Sequence, residues 1–295
     1  MPYSNRAKKL CVLAALLAAL PACWAIGTAY ETAAAKERPN IPSTEEELRK
    51  DFSYLSVTQW ERGTEMTAPV EVDLSQAGDG YEITAGGEFR LTGELRGTLV
   101  IDAEDQNVHL FLDNVTVTSK SGPAIYCRSA NKLVITLMPG TENWISDLGS
   151  YRADGEAEAC IYSECGLTFN GTGGLIVNGY YKDAIRSRDV VKILDGVYTV
   201  KCKRTGVHGN DGILVTGGKF MISSEKYGLK TSNLGAEGRG NMIISGGEFS
   251  IIAGRYAFVT AKADLLICDC VVSESSVVDT YDVGGTARVQ EGCVQ

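Results

Sequence analysis

An internal repeat of about 22 residues is the feature that most constrains this sequence. The segment AIRSRDVVKILDGVYTVKCKRT (184–205) aligns without a gap with GVHGNDGILVTGGKFMISSEKY (206–227), and Asp189 then matches Asp211. A unit this short cannot bury its apolar side chains alone, so such units fold by stacking on their neighbours. The chain is therefore expected to form a solenoid.

Less regular copies flank this pair on both sides. The copy at 228–256 is split by the glycine-rich insertion LGAEGRG, and the one at 257–272 is degraded. A long insertion that contains Trp144 and Tyr151 follows the copy at 124–137 and is expected to be a loop. The remaining copies cover residues 98–119 and 160–183.

Each unit consists of short alternating runs separated by Gly-Gly or Asp-Gly. Runs such as KFMIS have the period of β-strands, and glycine pairs are typical of turns. About three short strands per 22 residues predict an all-β fold, a right-handed parallel β-helix with one unit per coil. Stacked coils place equivalent residues in columns, and a column of small residues at positions 124, 184, 206, 228 and 257 marks a tight corner, with Cys160 as the exception.

The N-terminal 75 residues lack the repeat. Residues 1–25 join a charged start to the apolar run Leu10–Leu20, which is the order of a secretory signal and is short for a membrane span. The stretch LPAC also resembles a lipoprotein cleavage box, which makes Cys23 a candidate lipid anchor. Residues 26–75 are expected to be an extension with a short helix at the capping box Ser43 to Glu46. The β-helix domain is placed at 76–295, secreted or held at the cell envelope.

The charge of the chain narrows the classes of molecule that it could bind. The net charge is −9 and becomes −12 without the three cations of residues 1–25, so no nucleic-acid partner is expected.

Seven cysteines lie beyond residue 25, and apolar surroundings favour buried, reduced side chains. Disulfides stay open as an alternative, because the sequence does not pair them.

Several stretches resemble a known family. YEITAGGEFRLTGELRGTLVID, VHLFLDNVTVTSKSGPAIYCRSANKLVITL, IYSECGLTFNGTGGLIVNG and MIISGGEFSI are similar to bacterial secreted carbohydrate-binding proteins of the clostridial cellulose-binding β-helix type. The resemblance covers roughly residues 80–255. It implies a pectate-lyase-like fold, bound calcium, and binding of cellulose or acidic plant polysaccharide without catalysis.

The sequence departs from that family at the coil junctions, where relatives tend to carry Asp-Asp-Gly or Asn-Asp-Gly. Only Asp183 keeps an acidic residue before the small corner residue. Calcium takes six to eight oxygen ligands, so the loss of this column weakens the expectation of calcium. The candidate ligands that remain are Asp183, Asp189 and Asp211.

Asp189 and Asp211 occupy one column, about 5 Å apart at ordinary strand spacing. A bound calcium would relieve their repulsion. A turn column stabilised by the aspartate side chains themselves is the structural alternative, and it is favoured.

A second column is formed by the residues that lie two positions after the small corner residues in the sequence. Alternation predicts that it faces outward, where tyrosines would stack on sugar rings and cations would hold a uronate carboxylate. A solvated face of accidental composition is the alternative. The candidate ligand-binding residues are Tyr126, Tyr162, Arg186, His208 and Lys230, with Trp144 as a further stacking residue.

Catalysis is the less favoured class. The motifs of β-helix pectin hydrolases are absent except for a scrambled GVHG at 206–209, and no carboxylate pair for hydrolysis stands out. A weak calcium-dependent lyase using Arg186 or Lys230 is one alternative, and an adhesive surface protein without a defined glycan is another. The sequence thus predicts a monomeric, non-catalytic polysaccharide-binding protein.

Overall fold

The structure of the protein is a computed structural model that describes residues 52–149 and 157–295. The predicted signal sequence, the candidate anchor Cys23, the helix at Ser43 and the loop residue Tyr151 lie outside these ranges. Within the two ranges, no helix has the length and apolar content that crossing a membrane requires.

The described residues form strands with three short helical turns near their N-terminal end. These turns are a 3-10 helix at Ser53–Leu55, helix α1 at Gln59–Arg62 and a 3-10 helix at Leu74–Gln76. The strands of the first part are β1 (Val70–Asp73), β2 (Gly80–Ile83), β3 (Gly87–Leu95), β4 (Thr98–Ser119), β5 (Ile125–Leu137) and β6 (Glu142–Asp147). Because β1 pairs with β3, the sheet begins within the segment predicted as the N-terminal extension.

The strands of the second part are shorter and follow one another at the spacing of the repeat. They are β7 (Ala159–Ser163), β8 (Gly166–Gly171), β9 (Gly174–Gly179), β10 (Asp183–Ser187), β11 (Val190–Ile193), β12 (Val197–Cys202), β13 (Thr205–Gly209), β14 (Gly212–Val215), β15 (Lys219–Ser224), β16 (Tyr227–Thr231), β17 (Asn241–Ile244), β18 (Glu248–Ala253), β19 (Tyr256–Thr260), β20 (Leu265–Ile267), β21 (Val271–Ser276), β22 (Asp279–Val283) and β23 (Ala287–Val289).

Every pairing between these strands is parallel, and each strand pairs with the one three places later. One coil therefore contains three strands, and the molecule is the predicted parallel β-helix. We call the three faces sheet 1 (β7, β10, β13, β16, β19 and β22), sheet 2 (β8, β11, β14, β17, β20 and β23) and sheet 3 (β6, β9, β12, β15, β18 and β21).

The interior is filled by columns of apolar side chains. In sheet 3 buried and exposed residues alternate strictly, as in β12, β15 and β18. The rings of Tyr198, Phe220 and Phe249 stack inside, with centroids 4.9 Å and 4.4 Å apart. Such contacts between identical positions of successive coils are what the repeat encodes.

Asp-Gly or Gly-Gly pairs turn the chain between sheets 2 and 3. Gly196, Gly218 and Gly247 occupy equivalent positions with φ of 120°, 104° and 101°, a conformation that residues with a Cβ rarely adopt. At the sheet 1 corner the requirement is space, because a Cβ on Gly206 would lie 2.7 Å from the carbonyl oxygen of Gly228. Both columns were visible in the aligned repeats.

Residues 52–62 form a strap across the outer face of sheet 2. Phe52 and Leu55 are buried there against Val190, Leu214 and Ile243. The outer positions of β11, β14 and β17 are accordingly buried, unlike those of sheet 3. The strap explains why the sheet 2 strands are buried on both faces.

Glu61 on α1 anchors the strap. Its carboxylate lies 2.8 Å from the Lys192 ammonium and accepts hydrogen bonds from the Thr58 amide and the Thr168 hydroxyl. Burial raises the pKa of Glu61, but Lys192 and Thr58 outweigh burial and lower it to about 2. The strap is thus held by a buried ion pair in addition to its apolar side chains.

The prediction of a loop around Trp144 is wrong. Trp144 lies in β6 and pairs with Ile176 of β9 in sheet 3. The sequence does not show the alternation of a strand here, because the inward-facing residues on either side of Ile145 are polar. These residues, Asn143 and Asp147, are fully buried. The Asn143 side chain accepts from the Val115 amide and donates to the Gly174 carbonyl, which satisfies it inside the coil.

Candidate functional site

The column predicted to bind ligand exists and runs along the outer face of sheet 1. Strand pairing aligns Tyr126 with Tyr162, Tyr162 with Arg186, Arg186 with His208, and His208 with Lys230. We call these five residues the outer column. One residue per coil gives a spacing of about 4.8 Å between neighbours.

Exposure along the outer column differs from the prediction. Tyr162 has no exposed surface and His208 is 5% exposed, whereas Tyr126, Arg186 and Lys230 are partly exposed. The Tyr162 ring packs edge-to-face on Tyr126 at 5.7 Å between centroids. Tyr162 and His208 therefore do not offer stacking surfaces to a sugar, and the accessible part of the column is its cations and Tyr126.

Asp183 lies beneath this column in a buried ion cluster. Arg204 donates to both of its carboxylate oxygens at 2.7 Å and 2.9 Å, and the Thr205 amide donates at 3.0 Å. Burial would raise the pKa of Asp183, but hydrogen bonds from His208 and Arg204 hold it far below its usual range. Arg204 also pairs with Glu158, and Lys182 reaches the same carboxylate.

His208 links Asp183 to Ser232. Its Nδ1 lies 3.0 Å from Asp183 Oδ2, and its Nε2 lies 2.9 Å from Ser232 Oγ. A carboxylate only accepts, so Nδ1 carries the proton, and in the neutral ring Nε2 accepts from the serine hydroxyl. This is the order of groups in a Ser-His-Asp triad.

The surroundings of His208 oppose general-base catalysis. A base must become an imidazolium in the transition state, and Arg186 and Lys230 stand on either side of the ring. Burial lowers the pKa of His208 and these two cations lower it further, against the opposite effect of Asp183. The single proton of the Ser232 hydroxyl can instead be donated to Asn210 Oδ1 at 3.0 Å, which competes with the bond to His208. The geometry serves to position a neutral histidine within the cluster.

The three aspartates predicted to bind calcium do not converge. Asp183 accepts hydrogen bonds from the Arg204 guanidinium and from Nδ1 of the neutral His208, and a cation and hydrogen-bond donors at these positions are incompatible with a calcium ligand. Among the described residues, no three His, Cys, Asp or Glu side chains form a group suited to a metal ion. Calcium requires six to eight oxygens, so the buried aspartate does not fit the expected site.

Asp189 and Asp211 lie on consecutive coils, as predicted, and the Asp211 amide donates to the Asp189 carbonyl at 3.0 Å. Asp211 accepts from the side-chain amides of Asn210 and Asn233 at 2.6 Å and 2.7 Å. Burial raises the pKa of Asp189, and the charge of Asp211 raises it further. The pair thus places two carboxylates at equivalent turns of consecutive coils, as expected if the aspartates stabilise the turns without a bound calcium ion.

A second column of cations was missed in the sequence. The position directly before each corner strand is basic in four consecutive coils, and backbone hydrogen bonds connect these positions from coil to coil. Lys226 and Arg255 are exposed, while Lys182 and Arg204 are partly exposed. The aligned repeats contain this signal, because KD, RT, KY and RY occupy equivalent places. We call this column the basic stripe: Lys182, Arg204, Lys226 and Arg255.

Two tyrosines stand beside the basic stripe. Tyr227 and Tyr256 pair across β16 and β19, and their rings are stacked with centroids 6.4 Å apart. The Arg255 guanidinium lies over both rings, at 5.9 Å and 5.7 Å, and the Lys230 ammonium lies 4.8 Å from the Tyr227 ring. The stripe thus combines cations with aromatic surface, the two groups that acidic sugars use.

Trp144 lies on another face of the molecule. It is 46% exposed on sheet 3, and its indole donates to Glu142 at 3.1 Å. The structure therefore does not bring Trp144 together with the outer column.

Comparison with known proteins agrees with this architecture. One solved structure, described as a polysaccharide lyase-like protein from C. thermocellum (gadolinium derivative), superimposes with a TM-score of 0.71 at 29% identity. The match covers 73% of this chain and 89% of that one. The resemblance in fold thus includes all but a small part of the other protein.

Sequence comparison points the same way. A curated carbohydrate-binding domain-containing protein of Acetivibrio thermocellus is 32% identical over 126 residues, which are 41% of this chain and 44% of that protein. The chain thus matches less than half the length of that relative. A family model described as carbohydrate-binding domain-containing protein matches residues 77–282. Because that match includes most of the chain and nearly all of the coils, the protein belongs to the family of carbohydrate-binding domain-containing proteins.

Proposed function

We propose that the protein binds an acidic polysaccharide, without cleaving it, along the basic stripe. The observation that supports this proposal is the row of four cations on consecutive coils of a chain whose net charge is −9. A polymer with one carboxylate per sugar would lie along the helix axis and meet one cation per coil. Bidentate or charge-assisted hydrogen bonds from Arg and Lys are the interactions that hold carboxylates.

The exposed cations of the stripe are available for a ligand. Neither Lys226 nor Arg255 forms an ion pair with another described residue, whereas Arg204 is paired with Asp183 and Glu158, and Lys182 is paired with Glu158. Tyr227 and Tyr256 supply ring faces next to these two cations. Lys226, Arg255 and the two tyrosines are therefore the proposed contact set, with Arg186 and Lys230 of the outer column beside them.

The test compares two double variants that remove the same charge. Lys226→Ala with Arg255→Ala should weaken binding to polygalacturonate about tenfold, since each exposed charge contributes up to about 1 kcal/mol. Lys201→Ala with Lys219→Ala, exposed on sheet 3, is the matched control and should leave the affinity unchanged. Isothermal titration calorimetry measures both, with a neutral glucan as second ligand. Equal losses in the two double variants would overturn the proposal.

Catalysis and calcium are separate arms of the same experiment. Polymer recovered from the complex should show no new unsaturated ends, and their appearance would favour a lyase. The proposed binding rests on side-chain cations, so a chelator should change the affinity little. Loss of binding in the chelator would instead restore a calcium site, with Asp189 and Asp211 as its carboxylates. Absence of binding to either polymer would favour the adhesive alternative.

We also propose that the chain acts outside the cytoplasm. The support is the signal-like order of residues 1–25. The N-terminal mass of the protein recovered from expressing cells tests this, because cleavage near residue 25 is expected and an intact Met1 would contradict it. A lipid on Cys23 would give a heavier, membrane-associated species.

A further inference from the structure

Two cysteines meet where sheet 1 turns into sheet 2. Cys127 lies on β5, and Cys165 lies in the turn between β7 and β8 of the next coil. Their sulfur atoms are 3.6 Å apart. A second pair of neighbouring thiols, Cys270 and Cys293, lies at the C-terminal end of the described residues.

The two thiols differ in their access to solvent and in their acidity. Cys127 is fully buried, whereas Cys165 is partly exposed. The hydrogen bond between them lowers the pKa of Cys165 and raises that of Cys127, and the Ser163 hydroxyl, 3.4 Å from Cys165 Sγ, lowers the pKa of Cys165 further. A thiolate is the attacking species in disulfide exchange, so Cys165 is the residue that meets an oxidant first.

We propose that Cys127 and Cys165 are a redox site that closes to a disulfide between neighbouring coils. The oxidant is an external disulfide, either a small molecule or an oxidoreductase. The Cys165 thiolate attacks it, and one external thiolate leaves as a mixed disulfide forms. The Cys127 thiol then loses its proton and attacks Cys165 Sγ, which releases the second external thiolate. Two protein thiols are oxidised and one external disulfide is reduced to two thiols.

Closing the bond needs only a small movement. The sulfur atoms must approach from 3.6 Å to the covalent length of about 2.05 Å. The bond would join residues 38 positions apart and so would constrain the unfolded chain strongly. It would also fix the two coils that bear Tyr126 and Tyr162. This inference does not depend on the proposed polysaccharide.

The test uses the whole purified protein and oxidised glutathione. After incubation, free thiols are alkylated and the digest is analysed without reduction by mass spectrometry. The expected product is a linked peptide pair containing Cys127 and Cys165, two hydrogen masses below the sum of the two peptides. Cys160 and Cys202, both buried, should stay unlinked and become alkylated only on unfolding.

Two further results decide the proposal. Oxidation should raise the Tm of the wild-type protein by roughly 5 °C or more and should leave the Tm of Cys165→Ser unchanged. Cys202→Ser is the matched control and should respond like the wild type. Recovery of both cysteines in alkylated form, or of glutathione on Cys165 alone, would overturn the proposal. Cys270 and Cys293 neighbour each other at the C-terminal end. A disulfide between them would give a different linked peptide pair and is not evidence for a bond between Cys127 and Cys165.

Discussion

Single residues in this protein illustrate how burial changes the role of a polar group. Asp183 stands at the position where the family resemblance implied calcium. Here a guanidinium and an imidazole satisfy both of its oxygens. Buried carboxylates need such partners because desolvation otherwise neutralises them. The cation at this junction is therefore supplied by Arg204 of the chain itself.

The other histidine, His109, makes a pH-dependent contribution to stability that can be measured. It is buried on the outer face of sheet 2, stacked on Phe111 at 4.1 Å, with Nε2 2.6 Å from Thr136 Oγ1. Thr136 donates to Asn170, so the Nε2 proton of His109 is donated to Thr136. Burial lowers its pKa to about 4, against a small opposite effect of Glu88.

Because this pKa lies below that of the unfolded chain, the unfolded state takes up a proton first as the pH falls. We expect a loss of about 2–3 kcal/mol of stability between pH 7 and pH 4.5 from His109. Asp147, whose pKa is raised to about 6 by burial, has the opposite sign and gains stability over the same range. Urea unfolding of wild type and His109→Gln at both pH values isolates the histidine. The same loss in both proteins would contradict the assignment.

At the scale of elements, the three sheets share one strand pattern inside and differ outside. Sheet 2 is covered by the strap, sheet 1 by ion pairs and the outer column, and sheet 3 faces solvent. The outer positions follow this division: Val190 and Leu214 lie under the strap, whereas Lys201 and Met221 of sheet 3 are exposed. The residues that pack on the outer face of each sheet thus decide which side chains stay accessible to a ligand.

Removing the anchor of the strap should destabilise the protein measurably. Glu61→Gln leaves Lys192, which is 7% exposed, without its carboxylate, and we expect a loss of about 3 kcal/mol in urea unfolding at pH 7. The pKa of Glu61 is lowered, so this stability is present above the unfolded value near 4.5 and is lost as the pH falls towards 2. Hydrogen exchange should increase in residues 52–62. Glu248→Gln, which breaks an exposed pair with Lys219, is the control and should cost less than about 1 kcal/mol. A loss of the same size there would refute the anchoring role.

The whole molecule repeats one coil, and the repeat sets the dimensions of the proposed site. From Lys182 to Arg255 the basic stripe crosses four coils, a length of about 14 Å at ordinary strand spacing. A ligand that lies along the axis meets one position of the stripe in each coil it passes: first the paired side chains Lys182 and Arg204, then the exposed cations Lys226 and Arg255. The size of the binding site is therefore a property of the stack and not of any single coil.

Oligogalacturonides of increasing length test this geometry. Affinity measured by calorimetry should rise with each added sugar until the oligomer spans the stripe and should then reach a plateau. High salt should weaken binding of the long oligomers most, because more charge pairs are screened. Affinity that is independent of length would argue for a single-sugar site instead.

Much of the architecture could be read from the repeat. Aligned positions such as Asp189 with Asp211, and Arg186 with His208, are neighbours in adjacent coils because parallel stacking preserves the register of equal-length units. The same alignment contains the basic stripe, which lies two positions before the small corner residue, whereas the columns predicted to bind calcium or sugar include the positions one before and two after that residue. Trp144 was misplaced because the period of its strand is carried by the buried polar residues Asn143 and Asp147.

The sequence by itself determined the coil, its three strands, its glycine turns and the columns that stacking generates. These follow from local periodicity and from the repetition of equal units, which are both one-dimensional. Only the tertiary structure decided which outward residues stay accessible: that Tyr162 and His208 are buried, that residues 52–62 cover sheet 2, and that Asp183 pairs with Arg204. The burial of a side chain depends on which segments of different sheets and coils come into contact. The ion pairs that it forms depend on residues that are distant in the sequence. Neither can therefore be predicted from the period of the repeat.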